Sequence, residues 1–258
     1  MSYDKKKIMI VDDNDTFIMY MCILLDRMGY DVVPACSGAE AMKVLKVMKP
    51  DLIMINVHMP VLDGVSTLRR IKEDKSLSDT PLFMITSDTT GDAVKKCKDL
   101  GCMDYLRKPV RLSDLHYALQ EHLFSPLGWK RKHLRINHHM KVSVAYDGEA
   151  QEMFTETLSE GGMFLRKKEP LPVGSEVSVT VPMDAGKTLK LKGAVIYTKG
   201  LHDDVYFTFP PGMAVEFKDL MGEEAKDLAR YVSRLIAEDI VESQEEQVIS
   251  AEGMERAG

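Results

Sequence analysis

The sequence predicts two folds in series. Residues 1–124 read as an α/β doubly wound (βα)5 sandwich, and residues 125–241 as an antiparallel β-barrel closed by a C-terminal helix. Three observations carry this. Before residue 124, short apolar runs alternate with stretches of helical period, the signature of a parallel sheet covered on both faces. From Val142 onward the period becomes alternating, with turn residues between short strands, as in a barrel. Between Ser125 and Lys141 there are five Lys/Arg residues and no Asp or Glu, inside a chain of net charge -6. Such a one-sign block marks both a domain boundary and a candidate anion site.

Composition fits this plan. A chain of 258 residues holds two ordinary domains. No apolar run approaches the roughly 20 residues that span a bilayer. Lys5-Lys6-Lys7 is followed only by Ile8–Val11, too short for a signal-peptide core, so the expected location is the cytoplasm. Cys22, Cys36, Cys97 and Cys102 match neither CxxC nor a zinc spacing, and are expected as reduced, mostly buried thiols.

In order, residues 7–11 form the first strand and end on Asp12-Asp13. Phe17, Ile18, Met21, Cys22, Leu25 and Met28 recur with helical period until Gly29. Asp31–Ala35 is the second strand, and 39–48 the second helix. Asp51–Ile55 is apolar after its first residue, as a strand buried on both faces is. A helix at 64–74, a strand at 82–85, a helix at 92–100, a strand at 103–106 and a helix at 113–123 complete the half. In the second half, Val142–Tyr146 is a strand and Asp147-Gly148 its turn. The strands 153–158 and 163–165 flank Ser159-Glu160-Gly161-Gly162. Further strands fall at 176–181, 189–197, 205–209 and 213–217. Ala225, Leu228, Val232, Leu235, Ile236 and Ile240 share one helical face. The polar tail 242–258 is expected to be disordered.

Ligands of open parallel sheets bind at the carboxyl ends of the strands. Asp12 and Asp13 follow the first strand, Asn56 ends the third, Thr86 ends the fourth, and Lys108 follows the fifth. Two carboxylates and a lysine converging there suggest a Mg²⁺ and phosphoryl site. Val11-Asp12-Asp13, Met59-Pro60-Val61-Leu62-Asp63-Gly64, Met84-Ile85-Thr86-Ser87 and Lys108-Pro109 resemble the signatures of a response-regulator receiver domain. The resemblance implies that Asp12, Asp13 and the carbonyl of His58 hold Mg²⁺. It also implies that Thr86 and Lys108 contact the phosphoryl group and that Tyr105 changes rotamer. The family's phosphoacceptor is an aspartate, and this chain has Asn56. A carboxamide is not a nucleophile for acyl phosphate formation, and losing one negative charge weakens Mg²⁺. A naturally degenerate receiver and an engineered Asp-to-Asn change both fit.

The second half resembles a PilZ domain. Arg131 and Arg135 fit RxxxR, and Ser159 and Gly162 fit the end of [D/N]xSxxG. The resemblance implies cyclic di-GMP as ligand. Guanidinium forks pair with phosphate oxygens and with guanine O6 and N7. Ser159 would donate a hydroxyl hydrogen bond, and Gly161 and Gly162 would let the backbone approach closely. Thr157 stands where the family has Asp or Asn, and its hydroxyl replaces only part of that bonding. His133, His138 and His139 show no partner that would make a metal site, and Arg166-Lys167-Lys168 reads as a solvated turn.

The chain is thus expected to be a non-enzymatic signalling effector with no DNA-binding output. Its expected partners are cyclic di-GMP, a downstream protein, a second copy of the chain and, were the acceptor an aspartate, a histidine kinase. The alternatives are a phosphotransfer regulator with an altered acceptor, and a protein–protein adaptor with a degenerate PilZ domain.

Overall fold

The computed structural model describes residues 5–87, 91–124, 132–200, 210–237 and 248–249. The chain divides into two compact units. In the first, β1 (Lys7–Val11), β2 (Asp31–Ala35), β3 (Leu52–Asn56), β4 (Leu82–Thr86) and β5 (Asp104–Arg107) form a parallel sheet in the order β2-β1-β3-β4-β5. Every residue of β3 and β4 is buried. Apolar side chains on both faces of a central strand require helices on both sides.

The first three helices start where short polar side chains cap them. Asn14 accepts the Phe17 N–H at 2.8 Å ahead of α1 (Asp15–Arg27), whose buried face is Phe17, Ile18, Met21, Leu24 and Leu25. Ser37 caps α2 (Gly38–Val44), while Glu40 reaches back to the Cys36 N–H at 2.7 Å. α2 was expected to run to residue 48. It ends in turns after Val44, where the bonding tightens: Lys46 N–H meets Lys43 O at 3.3 Å and Val47 N–H meets Val44 O at 3.0 Å. Asp63 caps α3 (Gly64–Glu73). α4 (Gly91–Asp99) closes with Cys102 N–H bonded to Cys97 O at 3.0 Å and Gly101 N–H to Lys98 O at 2.9 Å. Gly101 is left-handed at φ 86°, which completes a Schellman stop. Cys97 and Cys102 are free and buried there, and burial pushes the Cys102 thiol up to about 11. Cys36 departs from the expected burial and is exposed. The short β6 (Val110–Arg111) leads into α5 (Leu112–Leu123).

The second unit holds β7 (Arg135–Asn137), β8 (Lys141–Tyr146), β9 (Glu149–Ser159), β10 (Gly162–Arg166), β11 (Glu176–Pro182), β12 (Thr188–Lys199) and β13 (Gly212–Phe217). Their order is β10-β13-β12-β11-β8-β9-β7, and a further β10–β9 ladder closes six of them into a barrel. Positive φ at Asp147 (49°) and Gly148 (82°) turns β8 directly into β9. α6 (Gly222–Ala237) follows, with Leu228, Val232 and Ile236 fully buried. Leu235, expected on the buried face, is half-buried. The expected strand at 205–209 and Ile240 lie outside the described residues.

Besides β6 and a 3-10 turn at Asp184–Gly186, two further elements were not anticipated. β7 falls in the basic stretch read as a domain boundary. β14 (Val248–Ile249) falls in the tail read as disordered, and pairs antiparallel with Val110–Arg111. Both are very short, and only their ladder partners, distant in sequence, make them strands.

Gly64 shows how closely the first unit is packed. A Cβ there would lie 2.1 Å from the Asn56 carbonyl oxygen. Gly64→Ala is expected to lower the unfolding free energy by about 1–3 kcal/mol, measured by urea denaturation. Gly174→Ala, at a glycine with positive φ and open space around it, reports backbone strain alone and so stands apart from the purely steric effect at Gly64, whose φ is not positive.

Candidate functional site

The parallel sheet brings four sequence-distant positions to one edge. Asp12, just past β1, is 1% exposed, and Asn56 and Thr86 end β3 and β4 as buried residues. Lys108 follows β5, and its N–H is held by Thr86 O at 2.8 Å. Its ammonium donates to Asp12 Oδ2 at 2.5 Å and lies 4.0 Å from the centre of the Phe17 ring. The other Asp12 oxygen accepts the Asn14 N–H at 3.0 Å. Burial pushes the Asp12 carboxyl above its ordinary value, against the opposing pull of Lys108 and the Asn14 N–H. Tyr105 lies on β5, half-buried against the core. Asn14 and Phe17 were not read from the sequence as parts of this site. An Asn directly after the acid pair was the available signal for the first.

Asn56 donates from Nδ2 to three oxygens: His58 O at 2.8 Å, Asp13 Oδ1 at 3.0 Å and Asp12 Oδ1 at 3.4 Å. These are the three residues the sequence reading assigned to a metal. The structure brings them together, with the carboxamide nitrogen among them.

The second cluster lies on β7, β9 and the turn into β10. Arg135 pairs in register with Ser159, and Asn137 with Thr157. Directly opposed side chains in an antiparallel ladder share a face, so the second arginine of RxxxR and the TxSxGG hydroxyls share one surface. Arg131 lies outside the described residues. Ser159 was expected to donate to a ligand. Here its hydroxyl donates to Gly162 O at 3.0 Å and ties the turn together. Gly162 is required by close packing, since a Cβ would lie 2.3 Å from Val215 O on β13. Gly161 faces His133: a Cβ there would lie 2.8 Å from the imidazole Cδ2. His133 Nδ1 is 3.2 Å from Glu160 Oε2. The described end of the lead-in, Lys132 to Asn137, therefore lies against the turn through the β7–β9 ladder and His133. The His133–Glu160 pair went unread because 27 residues separate its members. Arg166 pairs with Glu156, and Lys167 donates to Gln151 Oε1 at 2.8 Å, so these two cations are engaged on the barrel surface.

A five-stranded parallel sheet with this strand-end constellation defines a signalling receiver, and the closed barrel with its arginine-bearing lead-in defines a second-messenger module. Comparison with known proteins agrees. Residues 8–120 match the family model of the response regulator receiver domain, and residues 130–234 that of the PilZ domain. The chain belongs to the response-regulator receiver family and joins to it a PilZ domain, a cyclic di-GMP-binding module.

Protein PilG of Pseudomonas aeruginosa is 31% identical over 126 residues, covering 48% of this chain and 93% of that protein. The alkaline phosphatase synthesis transcriptional regulatory protein PhoP of Bacillus subtilis is 38% identical over 105 residues, 40% of this chain and 42% of PhoP. The chain thus spans less than half of PhoP, and also about half (49%) of the probable transcriptional regulator ycf27 of Cyanophora paradoxa. A solved chemotaxis protein, CheY4 of Vibrio cholerae, is 27% identical over 46% of this chain and 99% of its own, with a TM-score of 0.45. No described helix is long and apolar enough to cross a membrane.

The receiver family implies Mg²⁺. The donor set does not fit it as arranged, because an N–H donor fills the position where the three oxygens meet. Among the described residues, no group of three His, Cys, Asp or Glu could hold a metal ion.

Lys108→Ala is expected to destabilise the chain by about 3 kcal/mol at neutral pH, because it strands a buried carboxylate. A carboxyl raised in the fold binds its proton more tightly there than in the unfolded chain, so ionising it costs stability as pH rises. The difference between variant and parent should therefore shrink as pH falls toward the ordinary aspartate value of 3.8. Thermal unfolding across that range measures it.

Proposed function

We propose that this chain is a cytoplasmic, non-enzymatic signalling effector. Its barrel binds cyclic di-GMP and passes the signal on by domain rearrangement or by binding a downstream protein. Its receiver does not take up a phosphoryl group. The observation that carries the reading is the β7–β9 ladder, which sets Arg135 opposite Ser159. A guanidinium there can fork onto a phosphodiester or a guanine edge while the glycine turn admits the ligand's bulk. Asn137, opposite Thr157, adds a carboxamide near the position where the family's Asp or Asn is missing.

Titration calorimetry with cyclic di-GMP tests the reading. Binding is expected, weakening as salt rises. Arg131→Ala and Arg135→Ala should each cost about 2–5 kcal/mol where the contact is desolvated. Unchanged affinity in both variants defeats the assignment. No binding by the parent chain favours the adaptor reading, to which the engaged Ser159 hydroxyl and Thr157 would then belong.

For the receiver, acetyl phosphate with Mg²⁺ should leave the intact mass unchanged, since a carboxamide cannot form the acyl phosphate. Asn56→Asp should gain one labile phosphoryl group, because Asp12, Thr86 and Lys108 already stand at the strand ends. A phosphoryl adduct mapped to Asn56 in the parent chain would refute this.

A further inference from the structure

We propose that the Asn56 carboxamide is an internal substitute for the receiver's cation, holding the site in one Mg²⁺-independent state. The proposal is independent of nucleotide binding by the barrel. It rests on which atom faces which. Asn56 Nδ2 stands 2.8 Å from His58 O, 3.0 Å from Asp13 Oδ1 and 3.4 Å from Asp12 Oδ1. All three are acceptors, so only the NH₂ end of the amide can face them; the oxygen end would meet three oxygens. An NH₂ group has two hydrogens. The two shorter distances take them, and the third is a weaker electrostatic contact.

Both oxygens of the buried Asp12 carboxylate have further partners. Lys108 Nζ holds Asp12 Oδ2 at 2.5 Å, and the Asn14 N–H holds Asp12 Oδ1 at 3.0 Å. Asn56 therefore removes a charge and also puts a hydrogen-bond donor on the point where the oxygens converge. Mg²⁺ demands near-octahedral oxygen ligands at about 2.0–2.1 Å and dehydrates reluctantly. To enter, it must turn the amide over and break both short hydrogen bonds, gaining only a neutral carbonyl in place of a carboxylate. The backbone also resists retreat. The Asn56 carbonyl lies against Gly64, where even a Cβ would come within 2.1 Å, and the Val57 carbonyl accepts the Gly64 N–H at 2.9 Å. A receiver closed in this way presents an unchanging surface, and a partner docking on it responds to neither Mg²⁺ nor a phosphoryl donor.

The test uses the full chain, ¹⁵N-labelled, with MgCl₂ and MnCl₂ as probes. The Asn56 side-chain NH₂ pair is assigned by its absence from Asn56→Ala. In the parent chain that pair is expected to exchange slowly, to stay unmoved up to about 10 mM Mg²⁺, and to escape Mn²⁺ broadening. A saturable shift or selective broadening of the pair overturns the proposal. Asn56→Asp is expected to gain Mg²⁺ affinity by at least about tenfold over the parent, read as a Mg²⁺-dependent rise in melting temperature that the parent lacks. Equal Mg²⁺ stabilisation of both chains overturns it. So does a folded Asn56→Asp that gains nothing, because the metal would then be excluded by something other than the amide. Should Asn56→Asp fail to fold, the resonances of the parent chain decide alone.

Discussion

The receiver half depends on neutralising one buried carboxylate. Asp12 sits where β1 leaves the sheet, out of water, and an ionised carboxylate there is tolerated only if it is paired and hydrogen-bonded. Three elements supply the partners. The start of α1 gives the Asn14 N–H, the segment after β5 gives Lys108, and the end of β3 gives Asn56. The order β2-β1-β3-β4-β5 is what puts these elements side by side. The Lys108 ammonium lies over the Phe17 ring, so the cation that balances Asp12 also rests on a buried side chain of α1. A change at any of these positions is therefore felt at the others.

The barrel half solves a different problem. Its polar face must hold a basic segment that has little apolar surface of its own. Backbone pairing does this work: three residues of β7 add to β9, and Arg135 acquires a fixed address opposite Ser159. The glycine turn allows the approach. Gly162 lets β10 lie against β13, and the His133–Glu160 pair spans from the lead-in to the turn.

Much of this was legible in the chain itself. The strands buried on both faces, the helical periods, the acid pair after β1 and the lysine before Pro109 were all local patterns, and local patterns survive in a linear reading. RxxxR and SxxG were likewise recognisable by spacing. Less legible were pieces whose identity depends on a distant neighbour. Arg135–Asn137 has no strand pattern long enough to be seen until Thr157–Ser159 lies beside it. Val248–Ile249 is two apolar residues in a polar tail until Val110–Arg111 pairs with it. Ser159 was expected as a ligand donor from its place in the SxxG motif, and the turn its hydroxyl closes appears only in three dimensions.

By itself, the sequence determined the class of each half, the residue types at both sites, and the absence of a carboxylate at position 56. These follow from hydrophobic period, turn chemistry and side-chain identity, which need no neighbours. The tertiary structure decided what those residues do with one another. That Asn56 lacks a nucleophile is a property of one side chain. That its amide nitrogen faces two aspartates and a carbonyl is a property of the ends of β1 and β3 meeting at one edge. Hydrogen bonds are short-ranged and directional, so their partners are set by the fold and not by separation along the chain.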